Sequence, residues 1–117
     1  MRRTKEQKAL DEELIRECQG YYEDDDKPDG AYIEEDGMFF NINKIKRLIA
    51  SGADMGAKDI DGETPLHVAV WEDNIAVAKL LIASGADVNA KGWNGFTPLD
   101  WAKSEEMEAL LIEHGAK

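Results

Sequence analysis

The chain is poor in the residues from which covalent and metal chemistry are built. Cys18 is its one cysteine, so no internal disulfide can form, and histidine occurs only as His67 and His114. Neither histidine lies near Cys18 in sequence, and no nucleophile–base pair, zinc spacing, paired-carboxylate motif or glycine-rich phosphate loop stands out. Long apolar runs are missing too. None approaches the roughly 18 residues of a membrane span. The basic start, Met1-Arg2-Arg3-Thr4-Lys5-Glu6-Gln7-Lys8, leads into no apolar segment of the kind a secretory signal carries. A lone cysteine without an export signal predicts a reducing, cytoplasmic setting. The expectation is a protein that is not an enzyme and needs no cofactor and no metal.

Positive charge is the other scarcity. Fourteen Lys and Arg stand against 25 Asp and Glu, a net charge of −11 over 117 residues. Residues 23 to 36 hold Glu23, Asp24, Asp25, Asp26, Asp29, Glu34, Glu35 and Asp36 against the single Lys27. Such a block repels nucleic acid and anionic lipid and attracts basic protein surfaces, although a solvated acidic linker is the plainer reading. Asp25, Asp29, Gly30 and Asp36 fall on positions 1, 5, 6 and 12 of a calcium-loop template. Lys27 puts a cation where a carboxylate ligand belongs, so a chance match explains them better.

What the chain does have is self-similarity. Ile49-Ala50-Ser51-Gly52-Ala53-Asp54 recurs as Ile82-Ala83-Ser84-Gly85-Ala86-Asp87, and Thr64-Pro65-Leu66-His67 returns as Thr97-Pro98-Leu99-Asp100, both 33 residues on. That period predicts a stacked helical solenoid, an architecture that presents an extended binding surface. Thr64 and Thr97 suit N-caps with Pro65 and Pro98 at the first helical position, and Gly52, Gly85 and Gly115 suit helix ends. Asp61-Gly62 and Asn94-Gly95 are turn dipeptides. Gly115 follows Gly85 by only 30 residues, so about three residues are missing around Lys103 to Glu105.

These motifs, Asp61-Gly62-Glu63-Thr64-Pro65-Leu66-His67-Val68-Ala69 followed by Leu80 to Ala90, resemble the ankyrin family over residues 41 to 117. The resemblance implies an all-α ankyrin solenoid: a partial first repeat at 41–58, a full repeat at 59–91 and a shortened last repeat at 92–117. It also implies a structural imidazole at His67, bonded to its own and neighbouring loops; His114 takes the place of Ser51 and Ser84 at an exposed helix end. Residues 1–40 read as a capping segment. Thr4 and Gln7 form a capping box for a helix at about 5 to 19, ended by Gly20, with Leu10, Leu14, Ile15 and Cys18 on one face. Tyr32 to Phe40 supply aromatics that argue against a fully disordered linker. The first repeat lacks the Thr-Pro-Leu-His motif, with Ala31-Tyr32-Ile33-Glu34 in its place. Lys44 and Arg47 replace Val77 and Leu80, so that helix is expected to tolerate water on one side.

Ankyrin proteins bind through finger tips and the exposed face of each first helix. By the 33-residue offset these positions are Lys58, Ile60, Glu63, Trp71 and Glu72 in the full repeat, and Lys91, Trp93, Asn94, Phe96, Lys103 and Ser104 in the last. Exposed Trp and Phe on one face mark interfaces, and Trp is the commonest hot spot. The competing reading makes Trp93 and Phe96 a cover over the shortened repeat, and has Trp71 lean on its neighbour. Trp101 aligns with Val68 and is expected in the core. With no fused domain to bring together, the expected role is a small acidic inhibitor, monomeric when free. It would block a basic protein, in the manner of a toxin-immunity or anti-defence protein, with Asp24, Asp25, Asp26, Asp29, Glu34, Glu35 and Asp36 steering encounter. No direct nucleic-acid binding and no membrane are expected. The alternative is a scaffold or self-associating module, which predicts a dimer.

Overall fold

The computed structural model describes residues 4–22, 32–35 and 37–117. Among them run six α-helices: α1 Lys5–Gln19, α2 Ile42–Ala50, α3 Pro65–Trp71, α4 Ile75–Ala83, α5 Pro98–Trp101 and α6 Glu105–Glu113. A 3-10 turn at Trp93–Gly95 precedes α5. Three short strands, β1 Tyr21–Tyr22, β2 Ile33–Glu35 and β3 Met38–Phe40, fall between α1 and α2.

Helix starts follow from short polar side chains that take up the first free backbone N–H groups. Gln7 N–H donates to Thr4 Oγ1 at 3.1 Å and Thr4 N–H donates back to Gln7 Oε1 at 3.3 Å, closing the capping box of α1. Asn41 and Asn74, 33 residues apart, accept from the N–H groups of Lys44 and Val77. Ser104 does the same for Met107. The three residues missing from the last repeat come out of its first helix. α5 spans a single turn, from Pro98 to Trp101, where α3 spans seven residues.

The helices pack in two layers. α3 lies against α4 and α5 against α6, while α3 also lies beside α5 and α4 beside α6. α1 packs on both α2 and α3. That is the relation a first helix has to its own partner and to the next repeat, so the first repeat draws its first helix from residues 5–19. The stretch 33 residues before α3 holds β2 instead of a helix. Leu14, Ile45, Leu66, Ala69, Val77, Leu81, Met107 and Leu111, all essentially inaccessible, carry one core through the stack. This is the all-α solenoid expected from the repeats, with a small sheet added at its N-terminal end.

The sheet is antiparallel with β3 in the middle, Tyr21 opposite Phe39 and Ile33 opposite Phe40. Phe40 is buried beneath the end of α1, where Gly20 turns the chain at φ +75°. A β-carbon there would lie 2.5 Å from the Phe40 ring, so glycine is required for both conformation and space. Beneath α1 sits a polar cluster. Tyr21 donates its hydroxyl proton to Glu17 Oε2 at 2.6 Å, and Lys44 Nζ lies 2.9 Å from Glu13 and 3.5 Å from Glu17. Of the two residues expected to give α2 a side open to water, Arg47 is exposed, while Lys44 reaches under α1 to carboxylates. Burial, then the bond to Glu17, pushes the Tyr21 hydroxyl up to about 12. Chiefly its bond to Glu13 raises Lys44. Burial and the neighbouring Glu17 raise the Cys18 thiol, which favours the unreactive protonated form.

Candidate functional site

Two fingers project between the repeats, and their backbone is fixed by short-range bonds. In the first, Asp59 N–H donates to the Glu63 carbonyl, while Asp59 Oδ1 accepts from the N–H groups of Asp61 and Glu63, both at 2.9 Å. In the second, Gly92 takes the place of Asp59 and donates to the Phe96 carbonyl at 2.8 Å. A β-carbon on Gly92 would sit 2.8 Å from Glu63 Oε2 and 3.0 Å from His67 Nε2. Its absence lets the second finger close down on the first.

His67 joins the two. Its Nε2 lies 2.9 Å from the Phe96 carbonyl, which can only accept, so Nε2 carries the proton. Nδ1 then accepts from Thr64 N–H at 3.3 Å and from the Thr64 hydroxyl at 2.8 Å. The imidazole is buried, and it bonds its own and the neighbouring loop. Asp100, at the same place in the last repeat, accepts from Thr97 N–H at 2.8 Å but serves its own turn alone. His114 turns its Nδ1–H onto the Leu110 carbonyl and closes the end of α6.

Glu63 stands in the wall between the fingers, 9% exposed. Its Oε1 accepts from Trp93 N–H at 3.3 Å. Its Oε2 has no hydrogen-bond partner among the described residues. His67 Nδ1 is 3.9 Å away and, being an acceptor, offers it nothing.

In front of these residues the stack opens into a cavity of about 370 Å³. Its lining combines Trp71, Trp93 and Trp101, the only tryptophans in the sequence, with Asp59, Asp61, Glu63 and Glu72; Gln19, His67 and Val68 complete it. The aromatics touch in a row. Trp71 meets Trp101 edge to face at 4.8 Å, Trp101 meets Phe96 at 6.1 Å, and Phe96 lies 6.1 Å from Trp93. Lys103 Nζ sits 4.1 Å over the Trp71 ring. Burial raises the Glu72 carboxyl, and Lys103 partly offsets that. A second cavity of about 540 Å³ shares Gln19, Asp59 and Asp61 and runs on between α1 and the first finger, past Asp11, Glu12, Arg16, Lys58 and Ile60.

Of the positions singled out by offset, Glu63, Trp71, Glu72 and Trp93 therefore line one cavity. Phe96 and Lys103 pack on its aromatic row. Ile60 and Lys58 line the neighbouring cavity, with Ile60 fully exposed at the first finger's tip. Lys91 is exposed but lines neither. Asn94 forms the second tip at φ +57°. Ser104 is committed to capping α6 and to a 2.8 Å bond to Asp73. Glu34 is exposed on β2 and Glu35 belongs to the same strand. Asp24, Asp25, Asp26, Asp29 and Asp36 lie outside the described residues, as do all the calcium-template positions.

Trp101 departs from its expected place in the core. It is half-buried, forms part of the cavity wall, and its indole N–H has no acceptor among the described residues. α5 has one turn where α3 has two, so nothing continues the helix past Trp101 and its ring spreads across Trp71 and Phe96. Gln19, Asp59 and Asp61 also belong to the wall without having been expected there. For Asp59 and Asp61 the signal was available in their finger positions; for Gln19 it was not, since α1 lies outside the repeat period.

Among the described residues no group of three His, Cys, Asp or Glu is arranged to hold a metal ion. No described helix is long and apolar enough to cross a membrane. Compared with families of known proteins, residues 37–117 match the model for ankyrin repeats, in three copies. No curated protein matches the chain significantly.

Proposed function

The chain belongs to the ankyrin-repeat family, and from that premise we propose that it is a small acidic inhibitor which binds and blocks a basic protein through its groove. Ankyrin repeats are a protein–protein interaction module, and their stacked surface is where partners dock. The observation that carries the finer reading is the composition of the groove. Four carboxylates and three indoles share one cavity, beside a chain with eleven excess negative charges. Exposed indoles supply anchors for a partner, while the carboxylates select its sign and speed encounter. The acidic residues of 23–36 add to the chain's negative charge.

The test is affinity capture from the host's lysate with the wild type and a Trp71→Ala/Trp93→Ala variant, followed by assay of the captured protein's own activity. A basic protein retained by the wild type, released by salt and inactivated by the purified chain supports inhibition. A captured partner that stays active in the complex removes the inhibitor role and leaves a binding module. Light scattering completes the experiment. A stable dimer held by the aromatic row would replace the inhibitor reading with self-association.

A further inference from the structure

We propose that the cavity walled by Glu63, Trp71, Trp93 and Trp101 is a receptor for an arginine side chain of the partner protein, the guanidinium lying on an indole face with its N–H groups directed at the surrounding carboxylates. The proposal rests on the reading of the groove as the partner site and adds the chemistry of its anchor.

Three observations lead to arginine. The first is sign. Asp59, Asp61, Glu63 and Glu72 line the cavity and, among the described residues, no lysine or arginine does. The second is an unmet acceptor. Glu63 is nine-tenths buried and its Oε2 has no donor. A buried carboxylate oxygen left without a donor is unfavourable; this one is covered in the structure, so the carboxylate must turn towards the cavity to take up a ligand's charged donor. The third is the aromatic wall. Lys103 already rests its ammonium 4.1 Å over Trp71, so an indole at this site holds a cation within the chain itself. The indole N–H of Trp101 is also unpartnered. Between the two basic side chains, the planar guanidinium fits better. It stacks on aromatic faces, presents several donors in a fixed fork and sheds water more readily than an ammonium.

All three tryptophans touch this cavity, so intrinsic emission reports on it directly. The experiment titrates the whole chain at low salt with acetyl-(Gly-Arg)4-amide, acetyl-(Gly-Lys)4-amide and the neutral citrulline counterpart, following emission and heat. The arginine peptide is expected to bind about tenfold or more tighter than the lysine peptide, with the citrulline peptide weakest. Glu63→Gln, whose amide oxygen can still accept from Trp93 N–H, should bring the two charged peptides to within about twofold of each other. Trp71→Leu, at a half-exposed position, should do the same and serves if Glu63→Gln proves unfolded. Equal binding of arginine and lysine peptides overturns the arginine receptor while leaving a basic partner in place. Binding of neither peptide overturns both. Tight binding of citrulline, or an arginine preference that survives in a folded variant, also refutes it.

Discussion

At the scale of single residues, the groove is held by His67 more than by any other side chain. It bonds the N-terminus of α3 at one nitrogen and the base of the second finger at the other. Replacing it with alanine leaves the Thr64 N–H without its acceptor, takes from the Phe96 carbonyl one of its two donors and opens a void beside Glu63. His67→Ala should cost about 2–4 kcal/mol in urea unfolding; a change below about 0.5 kcal/mol would mean the imidazole bridge is not structural. Gly92→Ala tests the space beside it. Its φ of −99° suits any residue, so its effect is steric alone, displacing the Glu63 carboxylate. A shift in tryptophan emission with a cost of about 1–3 kcal/mol is expected, and an unchanged spectrum would argue against contact between the fingers. His67 is readable from the sequence because its motif recurs. Trp101 is misread for the same reason, since alignment with Val68 assigns it a small, inward position that a one-turn helix does not provide.

Helices and strands tell a second part. α2 to α6 follow from the 33-residue spacing, since the same caps and the same glycines at φ near +100° recur at Gly52, Gly85 and Gly115. α1 follows from its capping box and its apolar face. Its place as the missing first helix does not, because about twenty residues separate it from α2 where α3 and α4 are separated by three. The sheet is hidden for another reason. Strands of two or three residues are too short to show an alternating pattern. Leu14, fully buried where α1 meets the stack, should cost about 2–5 kcal/mol when cut to alanine; a loss well under that range would show α1 to be only loosely docked. The same contact should weaken in alkali. The folded chain keeps the Tyr21 proton to about pH 12, while the unfolded chain releases it near the ordinary value of 10. Stability present below pH 10 is then lost as pH rises towards 12, by about 2–3 kcal/mol. Lys44, raised by Glu13, acts in the same direction. Tyr21→Phe should flatten this alkaline decline, and superimposable profiles for the two proteins would count against the Tyr21–Glu17 bond.

For the molecule as a whole, charge and continuity decide behaviour. One core runs from Leu14 to Leu111, so thermal unfolding should be a single transition seen alike by far-UV dichroism and tryptophan emission. Separated transitions would split α1 from the repeats. A net charge of −11 acts at a distance that packing does not. Neutralising Asp24, Asp25 and Asp26 to Asn should slow association with a basic partner and flatten its salt dependence; an unchanged on-rate would confine electrostatic selection to the groove. On the proposed reading of the groove, the partner surface extends beyond the residues matched to the family. Gln19 of α1 stands in the wall of the first cavity, and Glu12 and Arg16 stand in the second. The family match begins at residue 37, beyond that helix. Changes at the exposed positions Glu12, Arg16 and Gln19 would then alter the cavity walls while Leu14, Ile15 and Cys18 keep the helix docked in the stack. For an engineer, the exposed side of α1 is the adjustable jaw of the proposed grip.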